Sequence, residues 1–308
     1  MEMTFVPISL LAGGLLAVQA GANTQLSKAT GSPFAATTLQ LALAGVLLFV
    51  VAAVSGSLGA LALLPKATWW HALGGTASAF YVVATILLFP RLGAVVTVGL
   101  SITGQMAASL ALDVSGALAV PRTPVGLSAA LGTLMVLAGA AAIVVGQQTP
   151  RGGRQSSLSP SWMALAVAAG AVLPIQGAVN GLLQSELQAP SAVALTSFAV
   201  ATLSMGAVLA LAISYGGAAR PSLARLPMMP WWGWLGGVAG AVYVTTMFTA
   251  MSAIGAAATV GFTVAGQQIA SVFVDRYALL RLPRRDISRL RLAGVAVLLA
   301  GVVVIKSF

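Results

Sequence analysis

Gly104-Gln105-Met106-Ala107-Ala108-Ser109-Leu110-Ala111-Leu112-Asp113 returns later in the chain as Gly266-Gln267-Gln268-Ile269-Ala270-Ser271-Val272-Phe273-Val274-Asp275. The shared Gly, Gln, Ser and Asp keep one offset, 267 − 105 = 162, and each copy lies in a long apolar run. The same offset carries Trp69-Trp70 to Trp231-Trp232, Gly74-Gly75 to Gly236-Gly237, Tyr81 to Tyr243, Gly93 to Gly255 and Pro121-Arg122 to Pro283-Arg284. Nearer the N-terminus the offset is 176 − 19 = 157: it relates Gln19 and Asn23 to Gln176 and Asn180, and Pro33 to Pro190. The second copy thus carries five extra residues between these blocks, since 162 − 157 = 5. The chain is a duplicated unit.

The solvent of this duplicated unit follows from composition. With 59% apolar and 6% charged residues and a mean hydropathy of +1.00, the chain lies among polytopic membrane proteins. A span needs about 20 apolar residues to cross a hydrocarbon core of about 30 Å. Ten such runs are expected, at 5–25, 33–54, 69–89, 93–114, 125–146, 161–182, 191–214, 231–252, 255–275 and 288–306. They must be helical, because lipid offers open strands no hydrogen-bond partners and a barrel's alternation is missing. The expected fold is all-α, with a first five-helix repeat over 1–150, a cytoplasmic linker at 151–160 and a second repeat over 161–308. Five spans per copy is an odd number, so the two copies are predicted to insert in opposite orientations, as in many secondary transporters.

Charge gives the orientation. Alternating connections collect Lys28, Arg91, Arg151, Arg154, Arg220, Arg225, Arg276, Arg281, Arg284, Arg285, Arg289 and Arg291 on one side, against Lys66, Arg122 and Lys306 on the other. The positive-inside rule makes the richer side cytoplasmic and places both termini outside the cytoplasm. Met1-Glu2-Met3 lacks the basic start of a signal peptide, so the first apolar run is expected to remain as a span. A net charge of +10 could suggest nucleic acid, yet the basic residues form no folded face. With no cysteine and a single histidine, disulfides and histidine- or thiolate-rich metal sites are excluded. No cofactor is expected, and no nucleophile–base pair suggests an enzyme.

Polar side chains at membrane depth are costly unless hydrogen-bonded, so they mark either contacts between helices or a wet site. The trios Gln105, Ser109, Asp113 and Gln267, Ser271, Asp275 each follow steps of four along one helical face, rising about 12 Å at 1.5 Å per residue. Gln105 and Gln267 fall near mid-span. They can line a cavity, or each amide can bond a neighbouring backbone as interhelical glue. Asp113 and Asp275 end their spans, where the helix dipole disfavours a carboxylate. Arg122 and Arg284 are the expected compensating partners, as structural ion pairs or loop caps; the alternative is a carboxylate that titrates during transport. Gln19 with Asn23 and Gln176 with Asn180 can line an entrance or satisfy helix-end carbonyls. Tyr81 and Tyr243 can stack on an aromatic ligand or anchor packing. Thr37, Thr38, Gln40, Thr196 and Ser197 add a weaker polar stripe.

The remaining features read as structure. Trp69, Trp70, Trp231, Trp232 and Trp234 fit an interfacial belt, and His71 among them is expected at the surface. Gly132, Gly139 and Gly146 on the fifth span and Gly294 and Gly301 on the tenth form seven-residue seams, so these spans should pack together or against another protomer. Gly74, Gly75, Gly236, Gly237 and Gly240 are expected to permit bending.

Taken together, Gln-x-x-x-Asn in the first span of each half, Trp-Trp-x-x-Leu-Gly-Gly at the third and Gly-Gln-x-x-x-Ser-x-x-x-Asp in the fourth resemble the YdcZ family of the drug/metabolite transporter superfamily. The resemblance is clearest over 230–301 and extends over nearly all of both halves. It implies an EamA-like inner-membrane transporter made by duplication and fusion, similar to a pair of five-span proteins joined covalently. The chain lacks the central membrane glutamate of the small multidrug resistance relatives, which argues against antiport of cationic drugs. A secondary-active exporter of a small polar or aromatic metabolite or drug is expected, in the bacterial inner membrane, as a monomer of two fused halves or a homodimer. A passive channel is the alternative, and a non-transporting scaffold a third possibility.

Overall fold

Why the chain is helical throughout its apolar runs is a matter of hydrogen bonding: in lipid, the helix satisfies each backbone N–H and C=O within its own segment. A computed structural model describes residues 2–122, 126–146, 159–217, 220–282 and 287–306. Among these are α1 (Glu2–Thr30), α2 (Pro33–Val54), α3 (Thr76–Ser115), α4 (Leu127–Gly146), α5 (Pro160–Leu187), α6 (Pro190–Ser214), α7 (Leu235–Ile254), α8 (Ala256–Tyr277) and α9 (Arg289–Lys306). Prolines open α2, α5 and α6 at the first turn, where the missing N–H costs nothing. Ser32 caps α2 by accepting the Ala35 N–H. Short 3-10 segments at Ser57–Lys66, Trp69–Gly75 and Trp231–Trp234 precede α3 and α7.

Among the described residues, eight stretches are long and apolar enough to cross a membrane, against ten expected from sequence. The two expected runs outside this set are 93–114 and 288–306. Gln105 and Asp113 lower the hydropathy of the first, and α9 carries Arg289, Arg291 and Lys306 within 18 residues. Boundaries also move: α1 runs on to Thr30, beyond the expected end at 25. The linker expected at 151–160 falls mostly outside the described residues.

Helix α3 covers the expected span 69–89 from Thr76 onward and all of 93–114 without a coil between them, yet it cannot be straight. Ser78 Oγ donates to Gln176 Oε1 of α5, and Arg91 lies over the Trp162 ring at 4.2 Å, near the other end of α5. Ser101 then donates back to the Ala166 carbonyl, and Gly104 packs on Val167. A straight helix would carry residue 101 about 34 Å beyond residue 78; these contacts on α5 are only ten residues apart. The chain therefore reverses between Arg91 and Ser101, and both arms of α3 lie against α5. In the second half the matching reversal is an open break at Gly255, whose φ of +85° suits glycine.

Helices of one half pack chiefly on helices of the other. Helix α1 lies on α7 and α8, α5 on α3, α2 on α6, and α4 on α9. The contacts come in matching sets. A β-carbon at Gly13 would overlap the Thr263 carbonyl, and one at Gly170 would overlap that of Ser101; Gly266 meets Leu10 as Gly104 meets Val167. Gly237 sits on the Gln40 carbonyl as Gly75 sits on that of Ser197. The expected seam between the fifth and tenth spans is present, with Gly132 against Gly301 and Gly139 against Gly294. The paired glycines expected to permit bending, Gly74, Gly75, Gly236 and Gly237, are instead points of close contact, because the partner side chain or backbone occupies the space a β-carbon would need.

Backbone form repeats as well. After Asp113 the chain passes through left-handed conformations at Gly116, Leu118 and Ala119; after Asp275 it does so at Ala278, Leu280 and Arg281. Leu280 tucks onto Gly21 of α1.

Candidate functional site

Asp113 is held by the start of α8. One carboxylate oxygen accepts the Ala256 N–H at 2.7 Å and the other the Ala257 N–H at 2.8 Å. These N–H groups have no partner within their own helix, and the positive end of the α8 dipole favours the negative charge. The expected partner Arg122 is elsewhere: its Nε donates to the Val114 carbonyl at 3.0 Å. Two backbone donors at a helix start make the arginine unnecessary. Arg284 lies outside the described residues. Asp275 pairs instead with Arg291 of α9 at 2.7 Å, a residue whose counterpart in the first copy, 291 − 162 = 129, is Ala129. Arg291 is 1% exposed and also donates to Ser271 Oγ. Ser271 and Ser109 donate to carbonyls of their own helices.

His71 is not at the surface. It is buried, with its Nδ1 3.1 Å from Glu186 Oε1, and its ring meets Trp70 edge-on at 4.1 Å. The Thr68 N–H and hydroxyl donate to the same carboxylate oxygen. Glu186, at the end of α5, draws the Trp69–Gly75 segment against the other half.

The polar pairs of α1 and α5 act mainly as links between helices. Asn180 donates to Ser197 at 3.2 Å, Gln176 accepts from Ser78 at 3.0 Å, and Asn23 approaches Thr37 at 3.5 Å. Gln40 donates to the Gly236 carbonyl and Gln25 to that of Leu280. Gln19 points its amide at Gly240, where a β-carbon would lie 3.0 Å away.

Gln105 behaves differently. It is 6% exposed, and among the described residues its amide has no hydrogen-bond partner, although it is not sealed from accessible space. Gln267, half-buried, likewise has none. Its neighbour Gln268, buried and also without a side-chain partner among the described residues, was missed in the sequence because the first copy has Met106 there. Tyr243 is buried and Tyr81 half-buried. Tyr81, Gln105, Tyr243 and Gln267 each lie twelve residues from the starts of their expected spans at 69, 93, 231 and 255, in the middle part of each span.

No carboxylate or basic residue lies at mid-span in the sequence. Among the described residues no three His, Cys, Asp or Glu side chains come together as a metal site. Sequence alone missed Glu186 and Arg291 as partners. Glu186 is one of only five acidic residues, a scarcity that could have singled it out.

The model of the family described as "Putative inner membrane exporter, YdcZ" matches residues 4–142 and again 161–304. The starts differ by 161 − 4 = 157 and the ends by 304 − 142 = 162, the two offsets of the internal repeat. No curated protein matches the chain. A solved crystal structure of a protein aligns over 99% of this chain and 98% of its own, with a TM-score of 0.68 and 16% identity; that likeness concerns the fold alone.

Proposed function

The chain belongs to the YdcZ family of inner-membrane exporters, and on that premise we propose that it is a secondary-active exporter whose two inverted five-span repeats rock around a mid-depth site formed by Gln105, Gln267, Tyr81 and Tyr243. The observation that carries the site is the unpartnered amide of Gln105. Interhelical glue works only by bonding a neighbour, as Gln176, Asn180 and Gln40 do. An amide kept in a membrane interior without such a bond needs another partner, and in a transporter the substrate supplies it.

The inverted arrangement is supported by contacts that map onto each other when the two halves exchange places: Gly13 with Thr263 and Gly170 with Ser101, Gly132 with Gly301 and Gly294 with Gly139. Counting α3 as two arms gives this reading ten crossings. Orientation is supported in the same way, because contacts join ends that the charge rule puts on one side. Arg91 with Trp162, Thr30 with Ser222 and Gly146 with Ser288 are cytoplasmic ends; Glu186 with His71 and Asp113 with Ala256 are the opposite ends. Both termini then lie outside the cytoplasm.

Single cysteines at 81, 105, 243 and 267 in this cysteine-free chain test the mechanism without knowledge of the substrate. Alternating access requires that a membrane-impermeant thiol reagent reach a given population of molecules from one side at a time. Labelling from both sides at once, by a fast-conducting path, would identify a channel instead.

A further inference from the structure

The transported molecule can be narrowed from the groups around the mid-depth site, a step that rests on the site reading above. All five acidic residues, Glu2, Asp113, Glu186, Asp275 and Asp286, and all fifteen basic ones lie near the ends of the expected spans or between them in the sequence. A ligand with net charge would sit at mid-membrane with no counter-ion, a position where charge is strongly disfavoured. What the site offers is two amides and two phenols. A glutamine side chain presents a donor and an acceptor side by side, so it pairs in bidentate fashion with a flat edge bearing an acceptor next to a donor. Gln105 and Gln267 come from the mid-span stretches of opposite halves, as do Tyr81 and Tyr243, which offer aromatic faces.

We propose that the substrate is an uncharged, planar heteroaromatic molecule with a cyclic amide or amidine edge, of the nucleobase kind, held by Gln105 and Gln267 and stacked on Tyr81 or Tyr243. Small anions, aromatic cations and edge-free hydrocarbons are not ligands of this site.

The purified full-length chain in nanodiscs tests it by thermal shift, since a ligand of the folded state raises the midpoint saturably. The probes are uracil, hypoxanthine and adenine, compared with benzoate, tetraphenylphosphonium and benzene. At least one of the first three should raise the midpoint, and Gln105→Leu and Gln267→Leu should each weaken its apparent affinity about tenfold or more, as expected for losing one or two bonds to a desolvated ligand. Where a leucine variant disturbs the fold, Gln105→Asn and Gln267→Asn, which keep the amide but withdraw it by one methylene, should weaken the same probe. No shift with any of the three, or a shift that survives all four variants, overturns the proposal. A benzoate or tetraphenylphosphonium shift abolished by the same variants keeps the site and rejects the uncharged class. One-sided thiol accessibility at 81 and 243 with no neutral ligand would overturn only this ligand class, whereas two-sided accessibility would overturn the transporter reading.

Discussion

Asp113 and Ala256 are 143 residues apart in the chain, yet the carboxylate of one accepts the backbone N–H of the other at 2.7 Å. A side chain closing one arm of the first half begins a helix of the second. Asp113→Ala removes both acceptors from the start of α8 and leaves two N–H groups buried without partners. The expected loss is about 1 to 3 kcal/mol of stability, with Asp113→Asn intermediate because it keeps one acceptor. Unfolding in detergent, followed by circular dichroism, measures it; an unchanged midpoint in the alanine variant would remove this contact from the account of the fold.

The Arg291–Asp275 pair predicts a non-additive result. Arg291→Leu strands a carboxylate against an apolar helix and should cost about 3 to 5 kcal/mol. Adding Asp275→Leu should recover much of that cost. A double variant as unstable as the sum of the singles would mean the two residues are not coupled in solution.

Gln176 and Gln105 separate a link from a ligand group. Gln176→Leu deletes the bond from Ser78 and should lower stability by about 0.6 to 2 kcal/mol. Gln105→Leu deletes no bond within the described residues, so stability should hold or rise while ligand binding is lost. Equal destabilisation by both would return Gln105 to a packing role.

Sidedness is checked at two exposed serines. Ser185→Cys, beside Glu186, should react with impermeant thiol reagents only from outside the cell, and Ser222→Cys, whose backbone N–H bonds the Thr30 carbonyl, only from the cytoplasmic side. The reverse pattern inverts the whole topology.

The glycine seam is the most sensitive packing feature. Gly139 faces the Gly294 carbonyl and Leu298, so Gly139→Ile must push α4 and α9 apart. The expected cost exceeds about 2 kcal/mol, read as loss of monodisperse protein. Normal yield and melting would show that the two helices separate freely.

The repeat and the glycine seam were legible because each depends on spacing along one chain, which sequence records directly. The partner of Asp113 was not, since backbone N–H groups carry no residue signature and Arg122 offered a nearer charge. His71 looked solitary because its counterpart is Gly233 and its carboxylate lies 115 residues on, at Glu186. Arg291 was counted only among the charges that set orientation; burial gave it a second task. The break between the arms of α3 was visible in Pro90-Arg91-Leu92-Gly93, although the helix carries no open turn there as it does at Gly255.

Because α1 rests on α7 and α8 while α5 rests on α3, neither half owns a private interior. Two identical subunits assembled this way would have to present the same residues at both mouths, and any useful change would be imposed twice. Joined in one polypeptide, the copies are released from that constraint. His71 facing Glu186 at one mouth and Arg291 holding Asp275 at the other have no twins. Covalent fusion has let the two ends of one fold be fastened by different contacts.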